Sequence, residues 1–195
     1  NALFANTTAN NNTALGLGAL TNNSTGAGNV AVGTNALDAN TTASNNVAVG
    51  YEALGANTTG SSNNALGVTA LQVNTTGSDN TALGHGSLQQ NTTASNNTAV
   101  GKLALGANTT GEENVAVGAA AGDLITTGQQ NTFVGYAAGS SGNYNFATAV
   151  GHGALFANTT GAFNTALGRA ALFANTTADN NTAVGYNALT TNTTG

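Results

Sequence analysis

Apolar residues recur along this chain in short phrases that return at a fixed interval. The unit reads Asn-Thr-Ala-(Val or Leu)-Gly, two variable residues, Ala-Leu, two variable residues, Asn-Thr-Thr and three further residues, which makes 17 in all. Successive repeat glycines keep this same step, except that Gly135 and Gly151 are one position closer together. These glycines, called the glycine column below, are Gly16, Gly33, Gly50, Gly67, Gly84, Gly101, Gly118, Gly135, Gly151, Gly168 and Gly185. Such a period predicts a tandem array of like structural units.

The composition of the unit favours a β-structure. Val, Thr and Phe are typical of strands and Gly and Asn of turns, while Gly and Asn recur too often for a helix. A unit of this length is too short for a helical pair or a propeller blade, but it suits one coil of a solenoid. The sequence therefore predicts an all-β parallel β-solenoid (β-roll). We expect residues 1–195 to form one array of about eleven coils, cut within a repeat at both ends and belonging to a longer chain.

Stacked coils would bring equivalent residues into columns about 4.8 Å apart. The Val or Leu before each glycine, such as Val100, is expected to line the interior. Ala and Gly would allow close approach of neighbouring backbones, and Asn side chains could hydrogen-bond from coil to coil. This interior is thin for a single chain, and the alternation of Ala with Val or Leu offers an apolar side on both strand faces. We therefore expect a homo-oligomer, with a trimer around a fibre axis as the favoured form.

The phrases NTAVGYNAL, NTALGRAAL and NTTG resemble repeats of bacteriophage tail-fibre proteins. More loosely, they are similar to the head repeats of trimeric autotransporter adhesins, which carry an N-S-x-A-x-G phrase. The second resemblance implies a trimeric, left-handed parallel β-roll on the outside of a cell or particle. The shared phrase is short and low in complexity, so the resemblance indicates an architecture rather than a function. The adhesin repeats are shorter than the unit found here, so the handedness and the trimer are what the resemblance implies.

Charge and composition narrow the function further. Two residues are basic and seven acidic, which argues against nucleic-acid binding. No Cys is present and no long apolar run occurs, so we expect neither disulfides nor a membrane span in this sequence. No nucleophile elbow, Walker loop or calcium-binding repeat is found. We therefore predict no enzyme activity, no catalytic residues, no metal site and no cofactor.

The NTT phrases allow three interpretations. They form ten formal N-glycosylation sequons, opened by Asn6, Asn23, Asn40, Asn57, Asn74, Asn91, Asn108, Asn158, Asn175 and Asn192. The favoured interpretation is a hydrogen-bonded ladder of Asn and Thr turns, and the second is a stripe of glycans. The third is an ice-binding face of stacked Thr, although adjacent Thr on a regular strand point to opposite faces, so only one rank could face outward.

Two further features carry candidate functions. His85 and His152 follow repeat glycines and lie four coils apart, about 19 Å along the axis, so we expect solvated surface side chains; the alternative is a ring of three His across a trimer.

Residues 119–150 are irregular, with glycine at the Leu position and with Phe133, Tyr144 and Phe146 close together. There we expect a local bulge filled by aromatic rings, and a lateral patch for sugar or a partner is the alternative.

Together these features predict the shaft of an extracellular fibre, such as a phage tail fibre, a surface adhesin or a filament. It would hold a distal binding element away from a cell or virion surface. The alternatives are an ice-binding solenoid and a glycosylated coat filament.

Overall fold

The fold is a stack of short parallel strands, one in each coil. A computed structural model describes residues 1–193, and within that range all regular secondary structure is β-strand. The strands are β1 (Thr13–Leu15), β2 (Val30–Val32), β3 (Val47–Val49), β4 (Asn64–Leu66), β5 (Thr81–Leu83), β6 (Thr98–Val100), β7 (Val115–Val117), β8 (Thr132–Val134), β9 (Thr148–Val150), β10 (Thr165–Leu167) and β11 (Thr182–Val184). They form one parallel sheet in sequence order. The predicted all-β parallel β-solenoid with 17-residue coils is thereby confirmed, whereas the number of chains stays a prediction.

The coils are held together by hydrogen bonds both in the sheet and in the turns. In the strands each residue pairs with its repeat equivalent, as Ala82 does with Ala99. Beyond the strands, the N–H of Leu54 donates to the carbonyl of Ala70 at 3.0 Å, and the N–H of Thr75 donates to the carbonyl of Thr92 at 2.8 Å. Backbone pairing therefore continues around much of each coil, and it fixes the register between neighbours.

The interior is built from small side chains and one large one per coil. The central Ala of β2–β7 and of β9–β11 is buried, and so is the Leu of the regular Ala-Leu pairs inside the array, as Ala99 and Leu105 show. In the end coils Ala14 is half-buried and Leu189 is 51% exposed. Our expectation that the Val or Leu before each glycine lines the interior is wrong: Val100 is half-buried and Leu83 is 40% exposed. Because strand side chains alternate between faces, the inward Ala leaves its larger neighbours outside. The turn Leu already fills the interior, so only a methyl group fits opposite it.

Each buried Leu has a left-handed backbone. Its φ is 52° at Leu54 and 49° at Leu105, in a region that costs an L-residue about 1–2 kcal/mol. Sequence reasoning missed this conformation because neither Gly nor Asn stands at the position in the regular coils, and only Gly122 and Gly139 of the irregular coils mark it. Burial of the Leu side chain offsets the strain, so packing between coils holds the turn in this shape.

The glycine column marks one place where the backbones of adjacent coils approach each other closely. At Gly50, φ is +139°, a value that favours glycine. A Cβ on Gly50 would lie 2.6 Å from the carbonyl carbon of Gly67 in the next coil. Ten glycines of the column face the next glycine in this way, whereas a Cβ on Gly185 would meet only the side chain of Ala188, at 4.0 Å. The column is thus required by both conformation and space.

In the irregular coils an aromatic ring replaces two aliphatic side chains. Phe133 takes the place of the central strand Ala and is fully buried. Its ring lies where side chains on Gly122 and Gly139 would project. Tyr144 is also buried and meets Phe133 edge-on, with ring centroids 6.0 Å apart. These two rings fill the space that the missing Leu side chains leave.

The sheet continues across the short step in this region. Thr132 of β8 pairs with Thr148 of β9, one position earlier than the regular repeat would place its partner. Phe146 is 43% exposed, and it stacks on Phe163 with centroids 4.9 Å apart. The missing residue is therefore absorbed in the turn and leaves the strand register intact.

Candidate functional site

The first column of interest is the Asn that opens each NTT phrase. Asn40 donates its Nδ2–H to Asn23 Oδ1 at 2.7 Å and to the carbonyl of Ala43 at 3.0 Å. Equivalent side-chain bonds join Asn57 to Asn40 and Asn74 to Asn57. The eight Asn residues of the column from Asn23 to Asn175 are fully buried, and only Asn6 and Asn192 in the end coils are half-buried. The geometry is that of a buried amide ladder.

This position bears directly on glycosylation. The Nδ2 atom that would carry a glycan is the donor of both ladder bonds, and it lies inside the coil. A glycan there would replace one of the two Nδ2 hydrogens, and so break one of these bonds, and it would need space that the neighbouring coils occupy. The fold of residues 1–193 therefore favours the ladder over the glycan stripe.

The ladder is interrupted once. Ile125 stands where the repeat has Asn, and it is buried. In the coil before it, Asn108 Oδ1 is buried and has no hydrogen-bond partner among the described residues, because its donor would have come from the missing Asn. The irregular segment thus carries an unsatisfied acceptor at its edge.

A second Asn column precedes the strands. Asn46 donates its backbone N–H to Asn29 Oδ1 at 2.9 Å and its Nδ2–H to the carbonyl of Gly60 at 2.9 Å. The bonds continue to Asn131, whose Oδ1 accepts from the N–H of Ala147 at 3.0 Å. The repeated Asn that begins each Asn-Thr-Ala phrase was the sequence signal for this column, but its role as a backbone clamp emerges only from the structure.

The two threonines of each NTT phrase differ in role. The hydroxyl of the first donates to a carbonyl of the next coil, as Thr75 Oγ1 does to Thr92 at 3.0 Å. The second is exposed, as at Thr76 and Thr93. The NTT turn therefore presents one exposed rank of Thr.

The outer side of the sheet carries an aliphatic side chain in every strand. We define the strand face as the first and third residues of β1 to β11. The third residue is always Val or Leu, and the first is Thr in seven strands, Val in three and Asn in one. Leu66 and Leu167 are each 46% exposed. No charged residue lies on this face, since the nine charged residues are Asp38, Glu52, Asp79, Lys102, Glu112, Glu113, Asp123, Arg169 and Asp179.

The two histidines lie on the outside of the shaft, as the sequence predicted. Both are exposed, and His152 stacks on Tyr136 with ring centroids 5.2 Å apart. In residues 1–193 no group of three or more His, Cys, Asp or Glu side chains is placed to hold a metal ion. Within one chain the structure does not bring His85 and His152 together.

A small cleft lies beside Gly55, where the repeat has no side chain to fill the surface. Its volume is about 360 Å³, and its polar lining includes Asp38, Glu52 and Gln72. Gln72 donates a hydrogen bond to Glu52. Burial raises the pKa of the Asp38 carboxyl, and the charge of Glu52 raises it further. The cleft holds carboxylates and amides without a nucleophile or a basic partner.

Comparison of the chain with protein-family models, with curated proteins and with solved structures finds no match. A search of the part described by the structure finds no helix of the length and apolarity needed to cross a bilayer.

Proposed function

We propose that the chain is the structural shaft of an extracellular fibre and serves as a rigid spacer. The observation that carries this proposal is the unbroken register of eleven strands, each paired with its repeat equivalent. A spacer must keep its length under load, and this stack resists stretching through many parallel bonds at once.

Three sets of bonds act together between neighbouring coils. The strands pair through their backbones, the turns add further backbone bonds, and the two Asn columns add buried side-chain bonds. A buried amide left without its partner costs about 1–3 kcal/mol. Bending one coil away from the next would break several such bonds, so the stack favours a stiff rod.

The fibre would be a homo-oligomer, with three chains around a common axis. Apart from one Leu per regular coil, the interior consists mainly of Ala, Gly and Asn, while the second aliphatic residue of each unit lies outside. Repeat proteins are stabilised by interfaces between neighbouring units, and a second interface between chains would add to that of the coils. The resemblance to phage tail-fibre and adhesin repeats supports an extracellular or virion-surface location.

The proposal assigns no catalytic step, cofactor, nucleic acid or membrane span to this sequence. Recognition would belong to a distal element of the fibre. Ice binding through the exposed Thr rank and a glycosylated coat filament are the competing functions, and both can be tested on the same preparation.

Electron cryo-microscopy of the assembled protein tests the proposal. We expect straight threefold shafts with coils about 4.8 Å apart. Compact particles without an axial repeat would contradict the shaft. Thermal hysteresis of the solution would favour ice binding, and an intact mass above the sequence mass of 18.8 kDa would favour the glycosylated filament.

A further inference from the structure

The strand face has an unusual distribution of side-chain size. Inside the solenoid, ten of the eleven strands present Ala at their centre, whereas all eleven present Val or Leu at the outward third position. The strands with Val at the first position are β2, β3 and β7, and these have Val at the third as well, while each Leu lies beside Thr or Asn. The remaining strands, β6, β8, β9 and β11, combine Thr with Val. Every strand therefore contributes at least one aliphatic side chain to the outer face.

The face is large enough for a specific contact. Eleven strands about 4.8 Å apart and about 10 Å long cover roughly 500 Å². Two such faces packed together would bury roughly 1,000 Å², which is the lower limit for a specific interface. In a trimer each of the three chains would turn one such face to the axis, so the total buried area would be roughly 1,500 Å².

The chemistry of the face points to a second copy of the same chain as its occupant. The absence of charge means that two copies meet without like-charge repulsion, although the chain has a net charge of −5. Because the face repeats once per coil, two copies side by side bring Val and Leu columns into contact along their whole length. Only the rank of first residues, with its seven Thr and one Asn, offers side-chain hydrogen-bonding groups, and Val interrupts it in β2, β3 and β7. The rank of third residues, made only of Val and Leu, offers none, so the face suits an apolar partner better than ice.

From these observations we infer that the strand face is the surface through which copies of this chain associate, with their axes side by side. This inference rests on the proposed function and specifies which side of the shaft faces the fibre axis. The exposed Thr rank of the NTT turns, including Thr93 and Thr110, then lies away from the interface.

Sedimentation velocity on paired variants tests the inference. Val100 and Val117 are outward residues of the adjacent strands β6 and β7. Val100→Asp with Val117→Asp places two carboxylates in the interface, where an unpaired charge is strongly unfavourable. We expect association at least about tenfold weaker than in the wild type, with a shift toward the 18.8 kDa monomer.

The matched control is Thr93→Asp with Thr110→Asp, which adds the same charge to adjacent coils at exposed positions. It should associate like the wild type. Circular dichroism monitors folding. If the Val100→Asp and Val117→Asp variant unfolds, the variant Val100→Thr with Val117→Thr tests the inference instead. We expect it to associate severalfold more weakly than the wild type.

A wild type that stays monomeric at micromolar concentration would overturn the inference, as would equal association of both Asp pairs. A rigid monomer would contradict only the proposed interface and would remain consistent with the shaft function. A flexible monomer would contradict both. A monomer that slows ice growth, and that loses this activity in the Val100 and Val117 pair but not in the Thr93 and Thr110 control, would assign the strand face to ice instead.

Discussion

At the scale of single residues, the repeat is constrained most where backbones approach each other. Gly50 combines a φ of +139° with a position 2.6 Å from the carbonyl carbon of Gly67 for any added Cβ. Gly55, further along the same coil, has neither constraint, and its nearest contact would be 3.4 Å away. Gly50 and Gly55 therefore form a matched pair for testing whether the fold requires the glycine column.

We expect Gly50→Ala to lower the free energy of unfolding by roughly 1–3 kcal/mol from backbone strain alone. Gly55→Ala should leave it unchanged or raise it by up to about 1 kcal/mol, since Ala restricts the unfolded chain. Urea unfolding of the two variants measures the difference. Equal midpoints would show that the glycine column is not required by the fold.

The second residue-scale prediction concerns Asp123. Burial raises the pKa of this carboxyl, and bonds to the backbone of Asp123 and Leu124 lower it only in part. Because the folded state binds the proton more tightly than the unfolded state, this group's contribution is favourable below the ordinary Asp pKa of about 3.9 and is lost as the pH rises through the higher folded value. Asp123→Asn should therefore be more stable than the wild type at pH 7.

Urea midpoints of both proteins at pH 3 and pH 7 test this sign. The advantage of Asp123→Asn should shrink at pH 3, where the wild-type carboxyl is protonated. An advantage that grows toward low pH would mean that the carboxylate is stabilised in the fold.

At the scale of one element, the irregular coils show how the array tolerates a departure from its pattern. Phe133 occupies the space of two Leu side chains, and Gly122 and Gly139 make room for its ring. The φ values of these glycines, 60° and 61°, are close to the 55° of Leu155 at the equivalent position. The backbone therefore already has the shape that Leu adopts elsewhere.

We expect Phe133→Ala alone to destabilise the protein by about 3–5 kcal/mol through the cavity that it leaves. Adding Gly122→Leu and Gly139→Leu restores the regular unit and should recover most of that loss. Thermal and urea unfolding of the single and triple variants measure the recovery. A triple variant no more stable than Phe133→Ala would show that the ring does not substitute for the Leu side chains.

At the scale of the whole molecule, periodicity alone predicted the parallel solenoid, because so short a repeating unit admits few other folds. It could not determine which strand face turns inward, since Ala and Val are both apolar and alternate. The turn Leu, such as Leu54, is the large side chain that fills the interior. Nothing in the sequence of a regular coil indicates its left-handed backbone. The NTT column, by contrast, was predicted in position and in its favoured role, because a buried column of Asn leaves the amides only each other and nearby carbonyls as partners.

The central claim is that the coils form one rigid rod of constant rise. The chain has no native Cys, so spin labels can be placed at Thr25→Cys with Thr110→Cys, and at Thr25→Cys with Thr177→Cys. These exposed residues lie five and nine coils apart in one column. Electron–electron double resonance, with labelled chains diluted in unlabelled protein, should give narrow distances of about 24 Å and about 43 Å, or about 4.8 Å per coil. Broad distributions, or distances that fail to scale with the number of coils, would contradict the account.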